Sequence, residues 1–373
     1  MKPVDLAPLP SVTQALASHA RAYDESGAFP RAGLEIVHEA GLLTATVGTS
    51  HGGPGAGVAD LTRILLALGR GDPSVALIAS MTQLPHLLQA HRPAWPAALY
   101  ERVLAESAVS RTLLNTLRVE PDLGSPSRGG LPATTARRTA EGWTIDGHKR
   151  FVTGAAGLAY LLVFATTDEP SPRVGNFVVP ADAAGVKIVP TWNQLGLRAS
   201  GSHDVILTGV TVPAGDVVDL GPPGGDPLAG AALHVPPAAI YLGVGRAAQE
   251  HFHRFARERV PSNLGRPVAE TDRFRAAAGE IEVLLSTAER LLLDAATRFD
   301  AGLAVPDALS ARIIANRHAV AAVTLATRLL GNPGLSRDNP LERHFRDVQS
   351  ALVHAPQEDV ALIAIGKDAL MRG

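Results

Sequence analysis

The chain has 373 residues, 46% of them hydrophobic and 19% charged, and carries a formal net charge of −2. At roughly 100–200 residues per domain this length gives two or three domains, and the composition supports a packed core and excludes global disorder. Near-neutral charge excludes the basic footprint of a general nucleic-acid binder, and zero cysteines exclude disulfides, thiol catalysis, iron–sulfur clusters and cysteine-based zinc sites. No run of about 18 apolar residues suggests a membrane span, and the start, MKPVDLAPLPSVTQ, lacks the charged-then-apolar pattern of a secretory signal. The expectation is a soluble cytoplasmic enzyme.

Residues 1–110 read as a helical domain. Leu61, Ile64, Leu65 and Leu68 recur at i, i+3, i+4 and i+7, with Gly69 placed to close that helix as a C-cap. Asp72-Pro73-Ser74 then opens a second helix through Val75–Met81. Just upstream, His51–Gly57 is glycine-rich and follows a β-like stretch, Leu42–Val47. A dinucleotide loop of the form G-x-G-x-x-G fails there because Val58 stands where the third glycine belongs, and the surroundings are helical. A glycine-rich packing turn is the better reading.

Between 111 and 222 the texture becomes β. Glu141-Gly142 and Asp146-Gly147 are hairpin-type turn pairs around Trp143-Thr144-Ile145, and strands are expected at Leu161–Ala165, Asn176–Val179, Val186–Val189 and Val205–Val212. Short strands without intervening helices suggest a small barrel or sandwich rather than a βαβ sheet. From 223 to 373 the helical period returns. Ile281, Leu284, Leu285, Ala288 and Leu292 form one stripe and Ile313, Val320 and Val323 another, as in a helical bundle. The fold class is α+β.

Thirteen histidines raise the question of a metal, but no His-Glu-x-x-His or facial-triad spacing occurs, and His251 and His253 fall on different helix faces. No metal site is expected. A Gly-x-Ser-x-Gly elbow and a Walker loop are also absent from the sequence.

Three segments carry more together than singly: Val119–Ser125, Gly147–Ala155 and Leu195–Val205. With the order helices, β-region, helices, they resemble the acyl-CoA dehydrogenase superfamily of flavoproteins. Phe29-Pro30, Ala40-Gly41-Leu42 and Gly52-Gly53-x-Gly55 are similar to its N-terminal domain. Leu330-Gly331-Asn332-Pro333-Gly334-Leu335 and Glu342–Asp347 are similar to its C-terminal Gly-rich and Arg-Asp segments.

The resemblance implies an N-terminal helical domain, a central β-barrel or sandwich and a C-terminal four-helix bundle. It further implies FAD or FMN between the last two, a site completed by a neighbouring subunit, and a homotetramer. Residue by residue, it implies that Glu120, Gly124 and Ser125 line the flavin and substrate pocket, and that Phe151, Val152 and Thr153 pack on the isoalloxazine with the Thr153 hydroxyl near N5. Arg198, Ser200 and Ser202 fall in a loop that meets the flavin or its phosphates. Arg259 stands in the place of an arginine that crosses the subunit interface, although Pro261-Ser262-Asn263 distorts that motif, and Gly331 and Gly334 belong to the Gly-rich cofactor segment.

A dehydrogenase of this family removes an α-proton with a carboxylate while the flavin takes a β-hydride. The usual glutamate position, eight residues after Asp347, holds Ala355, and the alternative position, Leu233–Pro237, also lacks a carboxylate. The stretch His354-Ala355-Pro356-Gln357 instead resembles the flavin-dependent, two-component monooxygenase branch, such as the dibenzothiophene monooxygenases. That branch takes reduced flavin from a separate reductase, reacts it with oxygen and needs no α-proton base. Thr153 and His354 are then the catalytic candidates, donors in a dry pocket, with the histidine suited to proton exchange near neutrality. The leading expectation is oxygenation of a small organic substrate at carbon, nitrogen or sulfur. The alternatives are a thioester dehydrogenase with Glu358 or Asp359 as displaced base, and a redox-inactive relative that kept the fold as a scaffold.

Overall fold

The computed structural model describes residues 4–123, 130–224 and 231–371. Five helices come first: α1 (Leu9–Ser26), α2 (Arg31–Glu39), α3 (Val58–Gly71), α4 (Pro73–His91) and α5 (Ala97–Val109). Asp72 opens α4 as the sequence suggests: its carboxylate accepts from Ser74 N at 2.8 Å and Val75 N at 3.3 Å, with Pro73 in the first turn.

Gly69 is not a cap. Helix α3 continues through it to Gly71, and its role lies in packing. A Cβ at Gly69 would stand 2.3 Å from the Ile240 carbonyl oxygen, and one at Gly243 would stand 2.3 Å from that of Leu66. The two glycines let α3 and α6 (Val235–Glu258) cross with their backbones in contact. The stretch Leu42–Val47 is likewise no strand. It folds as turns with Leu42, Leu43, Ala45 and Val47 buried, and a Cβ at Gly53 would lie 2.2 Å from the Val47 carbonyl oxygen. Close approach, not phosphate binding, explains that glycine cluster. The α3 N-terminus beyond it is capped by a distant carboxylate, Asp300, which accepts from Val58 N and Ala59 N at 2.8 Å each.

Among the described residues, eight strands form one sheet: β1 (Leu114–Leu117), β2 (Thr135–Arg138), β3 (Gly142–Val152), β4 (Tyr160–Thr167), β5 (Val174–Pro180), β6 (Val186–Val189), β7 (His203–Pro213) and β8 (Val217–Gly221). Their order is β6-β7-β3-β2-β4-β5-β8, and β1 lies parallel to β4. Only the first of the two expected turn pairs is a turn: Thr139 N donates to Gly142 O at 2.9 Å between β2 and β3. Asp146-Gly147 lies inside β3, where the pairing with β7 slips between Ile145 and Gly147.

Both faces of β4 are covered, which is why Tyr160–Ala165 reads as an unbroken apolar run. Leu161 and Val163 face the main core, whereas Tyr160 and Leu162 pack with Leu99 and Val103 of α5.

The chain then returns to helices: α6, α7 (Asp272–Asp300), α8 (Ala308–Leu330), α9 (Pro340–Val348) and α10 (Glu358–Met371). In α7, Ile281, Leu285, Ala288 and Leu292 are all fully buried, as their spacing requires. This helices–sheet–helices architecture is the α+β arrangement expected of the sequence. No helix among the described residues is long and apolar enough to cross a membrane.

Candidate functional site

The end of β3 and the start of β7 pair at Val152 and His203, which sets Thr153 beside Ser202. Between β6 and β7 the chain makes a tight loop, with Leu197 at φ +50°, a 3-10 turn over Arg198–Ser200 and Gly201 at φ +52°. The loop's Ser200 carbonyl accepts from Gly154 N at 2.8 Å. The result is a chain of side-chain hydroxyls: Thr153 Oγ1 to Ser202 Oγ at 3.1 Å and Ser202 Oγ to Ser200 Oγ at 2.9 Å. Asn115 Nδ2 fixes the Thr153 carbonyl at 3.0 Å. Three hydroxyls carry three protons, and these two internal contacts use only two of them. Thr153 is 8% exposed, Ser202 3% and Ser200 0%, so Thr153 is the least buried end of the chain.

Phe151, two residues before, has its side chain 47% exposed on a backbone with φ +55°, a conformation unfavourable for an aromatic residue. Its ring stands edge-on to Trp192 at 6.3 Å, and the Trp192 indole is held by Leu197 O at 3.0 Å. Val152 is buried, so its side chain belongs to the core and only its backbone can touch a ligand. An exposed ring on a strained backbone, anchored beside a buried hydroxyl donor, fits a planar heteroaromatic cofactor such as a flavin.

The remaining sequence-derived positions are distributed more widely. The Glu120 carboxylate is enclosed: Lys149 Nζ and Thr134 Oγ1 each donate to it at 2.6 Å, and Ala133 N donates at 2.7 Å. Burial alone would raise its pKa, but hydrogen bonds from Lys149 and Thr134 hold it below the usual carboxylate range. That leaves Glu120 only its backbone for a ligand. Arg198 directs Nε to Asp24 O at 2.7 Å and Nη2 to Glu25 O at 3.4 Å, capping α1. Arg259 is exposed at the end of α6. Gly331 ends α8 at φ +67° and, with Thr327, Leu335 and Phe345, lines a cavity of about 360 Å³. Gly334 is buried where a Cβ would meet the Thr327 carbonyl oxygen at 2.6 Å. Among the described residues, Arg198, Arg259, Gly331 and Gly334 make no hydrogen bond to the hydroxyl chain. Gly124 and Ser125 lie outside the described residues.

In the helical half, His354 is half-buried and its Nδ1 is hydrogen-bonded to the hydroxyl of Tyr241, a buried residue of α6. Burial and the nearby Arg312 cation push His354 down to about 4, and burial pushes the Tyr241 phenol up. Arg312 of α8 donates to the carbonyls of Pro356 at 2.7 Å, His354 at 3.0 Å and Ala355 at 3.1 Å. One turn on, Asn316 Nδ2 holds Ala351 O at 2.9 Å. His234, just before α6, is also pushed down to about 4, by burial and then by the charges of Arg312 and Arg118. Glu358 is ion-paired with Arg317 at 2.6 Å, and Asp359 is exposed beside it.

Sequence reasoning singled out His354 but not its neighbours Tyr241 and Arg312. A signal for Arg312 exists: Arg312, Asn316, Ala319 and Val323 form one buried stripe of α8. An arginine at a core position of a helix requires acceptors across the interface.

The helix α9 joins the two halves of the site. Asp347 Oδ1 accepts from Leu197 N at 2.7 Å, and Arg346 pairs with Asp24 at 2.6 Å while donating to Leu195 O at 3.0 Å. A Cβ at Gly196 would lie 2.4 Å from Arg346 O, so the loop carrying Ser200 rests directly on the helix.

Comparison with known proteins is consistent with this arrangement. Sequence models of acyl-CoA dehydrogenases match in chain order: the N-terminal domain at residues 11–90, the middle domain at 118–210 and the C-terminal domain at 237–358. YdbM of Bacillus subtilis, which bears the same family name, is 32% identical over 354 residues, spanning 93% of this chain and 91% of that protein. KijD3, solved with FMN and dTDP-3-amino-2,3,6-trideoxy-4-keto-3-methyl-D-glucose, superposes with a TM-score of 0.86 at 26% identity, over 99% of this chain and 95% of KijD3. Butyryl-CoA dehydrogenase of Megasphaera elsdenii shares the fold, with a TM-score of 0.86 at 21% identity over 97% of both chains. With three domain matches in register along the chain and the same fold throughout, the protein belongs to the acyl-CoA dehydrogenase superfamily.

Proposed function

We propose that this protein is a flavin-dependent monooxygenase that takes reduced FMN or FAD from a separate reductase and oxygenates a small organic substrate at carbon, nitrogen or sulfur. The observation that carries this reading is what stands where a dehydrogenase keeps its base. Ala355 and the stretch 233–237 offer no carboxylate, and the side chains gathered there are His234, Tyr241, Arg312 and His354. Glu358, one turn away, is engaged by Arg317. Without a carboxylate to accept it, the α-proton of a thioester has no place to go.

Bound reduced flavin supplies the electrons and the position at which oxygen reacts. Phe151 offers its ring for stacking, and the Thr153 hydroxyl is the donor available to a polar edge of that ring system. Neutral His354 supplies a proton donor and acceptor in a partly desolvated setting, where such groups act more strongly than in water. KijD3, which binds FMN together with an amino-keto sugar nucleotide, supports a substrate other than a saturated acyl thioester. A homotetramer and a cytoplasmic location belong to the same proposal.

The second reading, dehydrogenation of an acyl thioester, draws on the 32% identity to YdbM and uses Glu358 or Asp359 as the displaced base. Rapid mixing separates the two. Under the first reading, protein loaded with reduced FMN passes on oxygenation through a transient absorbance distinct from both reduced and oxidised flavin, and Glu358→Gln leaves that transient intact. Anaerobic bleaching of the oxidised flavoprotein by a saturated acyl-CoA, abolished by Glu358→Gln or by Asp359→Asn, would establish the dehydrogenase instead.

A further inference from the structure

We infer that Tyr241 and Arg312 are positioning residues for His354: Arg312 fixes the loop that carries it, and Tyr241 fixes its imidazole in the tautomer protonated on Nε2. The inference rests on the oxygenase reading for its purpose, but the geometry that carries it does not.

The Tyr241 hydroxyl is buried against α6's neighbours, and among the described residues the acceptor it meets is His354 Nδ1. Two arrangements satisfy that contact. Either the phenol donates to an unprotonated Nδ1, or a protonated Nδ1 donates to the phenol oxygen. In the second, the phenolic proton is left buried without an acceptor, which a native interior avoids. In the first, every proton has a partner or a route outward. Acidity agrees: a phenol is a better donor than a neutral imidazole N–H, and an imidazole nitrogen is a better acceptor than a phenol oxygen. The remaining ring proton therefore sits on Nε2, the nitrogen not engaged by Tyr241.

The loop itself is held from α8. Arg312 Nη1 donates to Pro356 O at 2.7 Å, and Nη2 is shared between His354 O at 3.0 Å and Ala355 O at 3.1 Å. A planar guanidinium can address three consecutive carbonyls at once, which the single ammonium of a lysine cannot reproduce. Asn316, one turn along the same face, adds the contact to Ala351 O. The cation also opposes protonation of the histidine it positions. Among the described residues, the groups that bear on His354 are Tyr241 from α6 and Arg312 from α8, while Glu358 at the start of α10 is paired with Arg317. The charge that acts on the ring is the Arg312 cation.

The purpose in an oxygenase is a donor that stays neutral and stays aimed. A histidine free to flip tautomers or to titrate near neutrality presents its proton for only part of the time.

The test needs no turnover. Full-length protein labelled with ¹⁵N-histidine is titrated while the imidazole nitrogens are followed by long-range proton–nitrogen correlation, with the His354 signals assigned from their loss in His354→Gln. The expected result is a pyridine-type Nδ1 and a pyrrole-type Nε2 that persist to below pH 5. Tyr241→Phe, which keeps the ring and fold, gives mixed tautomers. Arg312→Met raises the titration midpoint by one pH unit or more, and Arg312→Lys restores the low midpoint while leaving the signals broadened. A protonated Nδ1 in the parent protein, or a Tyr241→Phe spectrum identical to it, overturns the inference. Because these signals are read without oxygen or substrate, they stand or fall apart from the oxygenase reading.

Discussion

Thr153 illustrates how much a single side chain's role depends on its neighbours. Alone, it is a β-branched residue at a strand end. Joined to Ser202 and Ser200, it becomes the least buried end of a hydroxyl chain, able to give its proton outward. Thr153→Val keeps the shape and removes that donor, so flavin affinity, measured by fluorescence titration with FMN, falls by about fivefold to tenfold, the equivalent of roughly 1–1.4 kcal/mol for one hydrogen bond. Ser200→Ala acts only at the far end of the chain and weakens binding less. Equal losses in the two variants would mean that the outward donor is not at Thr153. The sequence made Thr153, Ser200 and Ser202 recognisable because they lie in contiguous motifs. Tyr241 and Arg312 meet His354 across separations of 113 and 42 residues, and no local pattern encodes such a contact.

Among elements, the crossing of α3 and α6 shows where sequence logic and packing diverge. A glycine at the end of an apolar i, i+3, i+4, i+7 series reads as a C-cap, yet Gly69 is interior because the adjacent backbone of α6 leaves no room for a Cβ. Alanine there gains up to about 1 kcal/mol of helix propensity. It also forces two helices apart at a backbone contact, which costs about 1–3 kcal/mol or more. The steric effect dominates, and Gly69→Ala lowers stability in denaturant unfolding. Gly279 in α7 is the control: a Cβ there meets nothing within 4 Å, so Gly279→Ala stabilises by about 0.5–1 kcal/mol. If both substitutions stabilise, the crossing is not the tight contact described. The strands show the same division. Runs such as Leu161–Ala165, Val205–Val212 and even the four-residue Val186–Val189 are legible, whereas β1, β2 and β8 are not. Their partners lie outside their own sequence. Asp146-Gly147 misled because a bulge uses the same residues as a turn.

At the scale of the molecule, buried titratable groups make stability depend on pH, and their signs conflict. Burial pushes His86 down to about 4; burial together with neighbouring cations does the same for His234 and His354 and holds His344 well below its ordinary value. The unfolded chain binds protons at these sites near pH 6.5 while the native state does not, so their stabilising effect is complete above pH 6.5 and is lost as the pH falls toward 4. Asp347 runs the other way. Burial raises it to about 7, so the native state keeps a proton that the unfolded chain has released, and acidification through the same window favours folding. Asp72 is raised in the same sense. The shifts of His86 and Asp347 correspond to roughly 3 and 4 kcal/mol as upper bounds. Four histidines thus act in one sense and two aspartates in the other. Urea midpoints should accordingly decline from pH 7 to pH 4.5. His86→Gln, which can still bond the Tyr100 hydroxyl without titrating, should make the decline shallower, and Asp347→Asn, which keeps an acceptor for Leu197 N, should make it steeper. A midpoint that rises on acidification would mean that the aspartates outweigh the histidines. The loop carrying Ser200 would then owe its hold on α9 to a proton on Asp347.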